Sequence, residues 1–210
     1  MRILGIDPGI TRCGIGVVDV DGSRRATLVA VEVAQTKSAL ALHFRLRDIA
    51  AAVREALVVY SPEVVAIERV FTQDNLQSVM TTTQAMGVAM AEVGRAQLPL
   101  AVYTPSEVKA AVTGNGRAQK AQVQHMVARI LQLETLPRPA DAADALAIAI
   151  CHAWRGTGLL GSGSDNMVDV SLSGKVTSKG ELTPAQRMWA EAQAAQKRKG
   201  AVDPRRKKSH

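Results

Sequence analysis

The first ten residues, Met-Arg-Ile-Leu-Gly-Ile-Asp-Pro-Gly-Ile, set the strongest constraint on the fold. An apolar run of strand character over Arg2–Ile6 ends at a carboxylate, Asp7, and Pro8 and Gly9 break it at once. One acid is thereby placed at the tip of a buried strand. A solvated Asp-Pro-Gly turn has the same local pattern, so the meaning of Asp7 depends on whether other acids reach comparable positions.

The chain that follows reads as α/β. Residues 14–20 form a second strand, Asp21-Gly22 a hairpin turn and residues 26–34 a third strand, which gives an antiparallel start. From Ser38 to Tyr60 the period becomes helical. Leu42, Leu46, Ile49, Val53 and Leu57 line one face, and Arg45, Arg47, Asp48, Arg54 and Glu55 line the other. Val64–Ile67 is a short apolar run suited to burial on both faces, and it ends at Glu68. A crossover normally returns the chain parallel to a neighbouring strand, so Glu68 is expected beside Asp7 at one edge of the sheet.

The next helix, residues 75–96, carries apolar residues around much of its circumference. It needs cover on two sides, by the sheet and by either a second subunit or the rest of the chain. A fifth strand over 99–103 precedes Thr104-Pro105-Ser106-Glu107, which has helix-capping chemistry and leads to Lys109. After the loop Gly114-Asn115-Gly116-Arg117, a helix over 118–133 carries Lys120 and His125, the latter expected to be partly buried. A final apolar helix over 140–154 holds Asp141 and Asp144, which share a face near its N-terminus. Helix-dipole compensation also accounts for two acids there, but Ala142, Ala143 and Ala145 let the backbone approach whatever those acids face.

Charge and composition narrow the function. The formal net charge is +7, with 16 Lys and Arg against 14 Asp and Glu in residues 1–155 and ten against five in residues 156–210. A polyanionic partner is favoured, nucleic acid first. The division expected is a folded domain over 1–155 and a flexible basic tail over 156–210, rich in Gly and Ser. Cys13 and Cys151 are too few and too far apart for a zinc site or a disulfide framework, and no apolar stretch is long enough to span a membrane. A soluble, cytoplasmic protein is expected.

If the last helix crosses the sheet edge, Asp7, Glu68, Asp141 and Asp144 converge. Unpaired, they would repel one another and take up protons. An all-oxygen set points to Mg²⁺ or Mn²⁺. Two such ions, roughly 3.5–4 Å apart, would activate water and stabilise the leaving oxygen of a phosphodiester. A basic protein with this site reads as a nuclease.

The GIDPG opening with Gly14 and Gly16, IERVF at Ile67–Phe71, the TPSEVK and KAQVQHMV segments, and DAADALAIAI at Asp141–Ile150 occur in one order and spacing. Together they resemble the RuvC family of Holliday-junction resolvases over residues 1 to 154. The resemblance implies a ribonuclease H-like fold, a five-stranded mixed sheet with helices on both faces, and a homodimer acting on four-way junction DNA. It implies paired symmetric nicks that leave ligatable ends, with the RuvA and RuvB branch-migration proteins as partners. Asp7, Glu68, Asp141 and Asp144 match the metal-binding catalytic acids. Some members have histidine in the last cluster, and this chain has aspartate at both positions. Phe71 matches an aromatic associated with base contact, Lys109 and Lys120 match basic residues that position DNA, and Arg117 in the adjoining loop joins them as a candidate DNA contact.

Two other readings use the same residues. Asp7–Thr11 also resembles the first phosphate loop of actin-like ATPases, although the chain lacks the second duplicated domain that such folds need. A non-enzymatic junction-binding protein would make the acids structural.

Overall fold

The computed structural model describes residues 1–69, 76–156 and 167–168. Five strands form a mixed sheet: β1 (Arg2–Asp7), β2 (Arg12–Val20), β3 (Ala26–Gln35), β4 (Val64–Glu68) and β5 (Leu100–Tyr103). A two-residue strand, β6 (Met167–Val168), pairs antiparallel with β5, and the order across the sheet is β3-β2-β1-β4-β5-β6. The first three strands pair antiparallel, whereas β1–β4 and β4–β5 are parallel. The parallel pairs follow from the helical crossovers α1 (Leu42–Tyr60) and α2 (Leu76–Arg95). Helices α3 (Pro105–Thr113), α4 (Lys120–Ile130) and α5 (Ala140–Arg155) complete the fold, and residues Met1–Val170 cluster as one compact unit.

Side-chain parity separates two cores. Leu4, Ile6, Ile15, Val17, Val65 and Ile67 face α1 and α2, where they meet Ile49, Val53, Ala85, Ala89 and Val93. Ile3, Val18, Val64, Ala66, Ala101 and Tyr103 face the other way, toward α5 with α3 and α4. Burial on both sides explains the unbroken apolar runs in β1 and β4.

Helix α5 is the pivot of the second layer. Residues Ala142, Ala143 and Ala145–Ala153 are all buried, and the helix sits close to β1 and β2. An added Cβ on Gly5 would lie 2.7 Å from Ala149 N, and one on Gly16 would lie 2.7 Å from Leu146 N. At its far end the Tyr103 hydroxyl pairs with His152 Nδ1 at 2.8 Å, and burial pushes the His152 imidazole down to about 4, which keeps it neutral.

Two local expectations meet different outcomes. The capping chemistry of α3 is present, with Thr104 Oγ1 accepting from the Glu107 amide at 3.3 Å and Glu107 Oε2 accepting from the Thr104 amide at 2.8 Å. His125, expected to be partly buried, is exposed instead. Helix α4 buries the stripe Val123, Val127 and Ala128, and residue 125 falls on the opposite face, where its Nδ1 lies 2.8 Å from the Ala121 carbonyl oxygen.

Candidate active site

The acids reach one cavity because strand parity and helix position agree. Asp7 pairs with Gly14 across the β1–β2 hairpin. The parallel register Ile6↔Ile67 places Glu68 one step further along β4, beside Asp7. Both side chains fall on the face covered by α5, whose first two turns bring Asp141 and Asp144 over the same strand ends. Carboxylate oxygens of Asp7, Asp141 and Asp144 lie within 4.8 Å of one another. Glu68 lines the same cavity of about 350 Å³, together with Lys109, Lys120, Pro105 and Val108.

The electrostatics express the crowding. Burial, and then the charges of Asp144 and Asp141, push the Asp7 carboxyl up to about 7. Burial followed by Asp7 and Asp144 pushes Glu68 up to about 8. Lys120 Nζ lies 2.6 Å from Asp144 Oδ2. Partial burial opposes the Lys120 charge, but the hydrogen bond to Asp144 and the acids around it outweigh that and hold the ammonium above its usual range. Arg12 Nε lies 2.9 Å from Asp141 Oδ2. An all-carboxylate donor set in which burial and mutual repulsion push Asp7 and Glu68 up suits a hard divalent cation.

The candidate DNA contacts separate. Lys109 and Lys120 line the acid cavity. Arg117 is exposed on its loop, where its amide donates to Asn115 Oδ1 at 3.0 Å, and it does not line that cavity. Phe71 lies outside the described residues. The contribution of Arg12 was not anticipated. Arg12 opens β2 just past the Asp7↔Gly14 pair, and its reach to Asp141 depends on where α5 lies over the hairpin.

A mixed sheet with acids at adjacent strand ends, closed by an acid-bearing helix, defines a ribonuclease H-like nuclease domain. The profile described as crossover junction endodeoxyribonuclease RuvC matches residues 3–152. A protein of that name from Pseudarthrobacter chlorophenolicus is 54% identical over 198 residues, covering 94% of this chain and 98% of the relative. One from Rhodococcus jostii is 56% identical over 155 residues, covering 74% and 82%. Thermus thermophilus RuvC in complex with Holliday junction substrate superposes with a TM-score of 0.72 at 39% identity, covering 76% and 97%. The yeast mitochondrial resolvase Ydc2, at 13% identity and a TM-score of 0.56, shares the fold.

The chain belongs to the RuvC family of crossover junction endodeoxyribonucleases. That membership sets aside the ATPase and non-enzymatic readings.

Proposed function

We propose that the chain resolves four-way DNA junctions by metal-dependent phosphodiester hydrolysis, with Asp7, Glu68, Asp141 and Asp144 holding two divalent cations, Mg²⁺ or Mn²⁺. The convergence of three carboxylates within 4.8 Å, beside Glu68 and two lysines, carries this reading. Bound divalent cations supply the means to activate a water and stabilise the leaving oxygen. Asp7 and Glu68 sit on rigid strand ends and fix where that chemistry occurs. Lys109 and Lys120 hold the backbone phosphate against the acids, and a cation held by Asp144 would take the place of Lys120 as its charge partner. Phe71 contacts bases near the crossover, and Arg117 holds DNA outside the acid cavity.

The working unit is a homodimer that makes paired symmetric nicks. Ala85, Ala89 and Val93 of α2 are buried against the sheet, while Met80 on the same helix is 56% exposed, which supports an outer face available to a second copy. The basic excess of residues 156–210, ten Lys and Arg against five Asp and Glu, raises affinity for DNA. The protein works in the cytoplasm with the RuvA and RuvB branch-migration proteins. Among the described residues no helix is long and apolar enough to cross a membrane.

Cleavage of an intact four-way junction with Mg²⁺, with Mn²⁺ and with chelator tests the mechanism. Asp7→Asn is expected to lower the cleavage rate by about 10²–10³-fold or more. Junction binding persists or tightens, because a negative charge facing phosphate is removed. Cutting that continues in chelator refutes the mechanism.

A further inference from the structure

The lysines of the acid cavity lie on α3 and α4, which pack with α5 on one face of the sheet. A second basic surface occupies the other side of the same sheet edge. The pair Arg12↔Gln35 sets the start of β2 and the end of β3 at the edge where β1 ends in Asp7, and from there residues 37–41 lead into α1. The Thr36 amide donates to the Thr11 carbonyl at 3.0 Å, and the Thr36 hydroxyl donates to the Ile10 carbonyl at 2.5 Å. Arg45 clamps this turn, with Nε donating to Thr36 Oγ1 and Nη2 to Thr11 Oγ1, each at 2.9 Å.

Both acceptors are neutral hydroxyls. Among the described residues no ion pair engages Arg45, so a guanidinium charge is fixed at this edge without compensation. Residues 36–47 contribute Lys37, Arg45 and Arg47 and contain no Asp or Glu. Arg47 is matched by Asp48 at 2.7 Å, which leaves Arg45 and Lys37 as the uncompensated charges. Arg12, with its side chain 57% exposed, joins this surface to the acid cavity through Asp141.

An exposed aromatic, Phe44, precedes Arg45 on the same first turn of α1. Phe44 is 44% exposed, the His43 ring centroid is 4.1 Å from its own, and the Arg47 guanidinium lies 5.2 Å from its centroid. The chain has two Phe, two Tyr and two Trp. Among the described residues Tyr103 is buried and Tyr60 and Trp154 are half-buried, so Phe44 is the exposed one. A scarce aromatic left open to water, with Arg47 against its ring and the fixed Arg45 next to it in sequence, has the composition of a nucleic-acid contact.

We propose that Arg12, Phe44 and Arg45 form a second DNA contact. Arg12 and Arg45 take backbone phosphates on the side of the acids away from Lys109 and Lys120, and Phe44 presents a stacking face to a nucleotide of the same strand. The inference rests on the junction-nuclease reading and extends the DNA path across the acids, from the α3–α4 side to the start of α1. Arg12 then exchanges Asp141 for phosphate when DNA is bound.

The deciding experiment uses the full, unsubstituted chain. A four-way junction carrying iododeoxyuridine at successive positions near the crossover is bound in chelator and irradiated, and the adducts are mapped by peptide mass spectrometry. An adduct at His43 or Phe44 is expected. In parallel, binding is measured over a range of salt. Phe44→Ala lowers affinity about tenfold with the salt slope unchanged, and Arg45→Gln lowers the slope of log K against log salt by about 0.9, the loss of one phosphate contact. Absence of adducts from residues 43–44 at every position overturns the second contact, whatever the substituted chains do. So does an affinity loss in Phe44→Ala that disappears once dimer concentrations are matched, since the ring then belongs to a contact between two copies. Both results leave the nuclease reading intact if the unsubstituted chain still cuts the junction, whereas failure to bind or cut the junction removes the reading itself.

Discussion

Gly16→Ala tests whether close packing of α5 on the β1–β2 hairpin sets the geometry of the acids. An ideal Cβ at residue 16 would lie 2.7 Å from Leu146 N, 2.9 Å from Ala145 C and 3.0 Å from Leu146 Cα, where ordinary contact begins at 3.4 Å. All three neighbours are backbone atoms of a helix that cannot fold aside, so α5 must lift by about 0.7 Å, the difference between 2.7 and 3.4 Å. Asp144 directly precedes Ala145, and Asp141 lies one turn earlier, so both carboxylates move with the helix while Asp7 and Glu68 stay on their strands. A displacement of 1 Å in an active site costs on the order of 10²-fold, and for this smaller shift a loss of about 10- to 10²-fold in cleavage is expected.

Overpacking costs about 1–3 kcal/mol. For a chain of this size that lowers the melting temperature by roughly 2–4 °C per kcal/mol, so the protein stays folded at room temperature. The assay is single-turnover cleavage of a four-way junction at saturating Mg²⁺, with junction affinity measured separately in chelator. Affinity should hold, because Lys109 and Lys120 lie on α3 and α4. Gly22→Ala is the control, since a Cβ there meets no atom within 4 Å. A folded Gly16→Ala protein that cleaves within about threefold of the unsubstituted rate refutes the reasoning.

Three further outcomes are expected. In chelator the folded state binds more protons than the unfolded chain between about pH 4 and 8, because Asp7 and Glu68 are pushed up from 3.8 and 4.5 to about 7 and 8; stability therefore falls as pH rises through that window. Thermal melts in chelator should show a midpoint higher at pH 5 than at pH 8, and Mg²⁺ or Mn²⁺ should raise the pH 8 value and flatten the dependence; a midpoint independent of pH in chelator counts against the crowded-acid picture. Met80→Glu places a charge on the exposed face of α2 and should shift sedimentation from dimer toward monomer at micromolar concentration; a monomeric unsubstituted protein, with and without junction DNA, removes the dimer. Deleting residues 171–210, which carry ten Lys and Arg against three Asp and Glu and follow the compact unit ending at Val170, should flatten the fall of junction affinity with salt; an unchanged slope makes the tail dispensable for binding.

The elements themselves were legible because punctuation and period agreed. Pro8-Gly9, Asp21-Gly22, Ser61-Pro62 and Thr104-Pro105 each stop or start an element, and of the α1 stripe Ile49, Val53 and Leu57 are buried while Leu42, at the start of the helix, is exposed. Glu68 beside Asp7 was legible from the crossover rule alone, and the register Ile6↔Ile67 realises it. Two features were not legible. The reach of Arg12 to Asp141 depends on where α5 lies over the hairpin, which no local pattern encodes. The two-residue strand β6 pairs with β5 at Leu100 and Ala101, and a pair of apolar residues in a Gly- and Ser-rich stretch carries no periodic signal. The exposure of His125 was readable, since Val123 and Val127 define the buried face of α4 and residue 125 lies off it.

Parity explains why the opening segment and the last acidic helix form one unit. Along β1, alternation sends Ile3, Gly5 and Asp7 to the face that α5 covers, and the hairpin register sets Gly16 opposite Gly5 and Gly14 opposite Asp7. The strand positions beneath α5 on the approach to Asp7 are therefore glycines. On the helix side, Asp141, Ala145 and Ala149 recur every fourth residue and supply the atoms that an added Cβ at Gly14 or Gly5 would strike. Small residues on both surfaces let the helix axis come close enough for Asp141 to reach the carboxylate on β1. A larger residue at any of these positions would push α5 away and separate Asp141 and Asp144 from Asp7. The role proposed for Asp7 depends on its neighbours: the glycines fix how near α5 can come, and that distance decides whether the acids form a site or only line a groove.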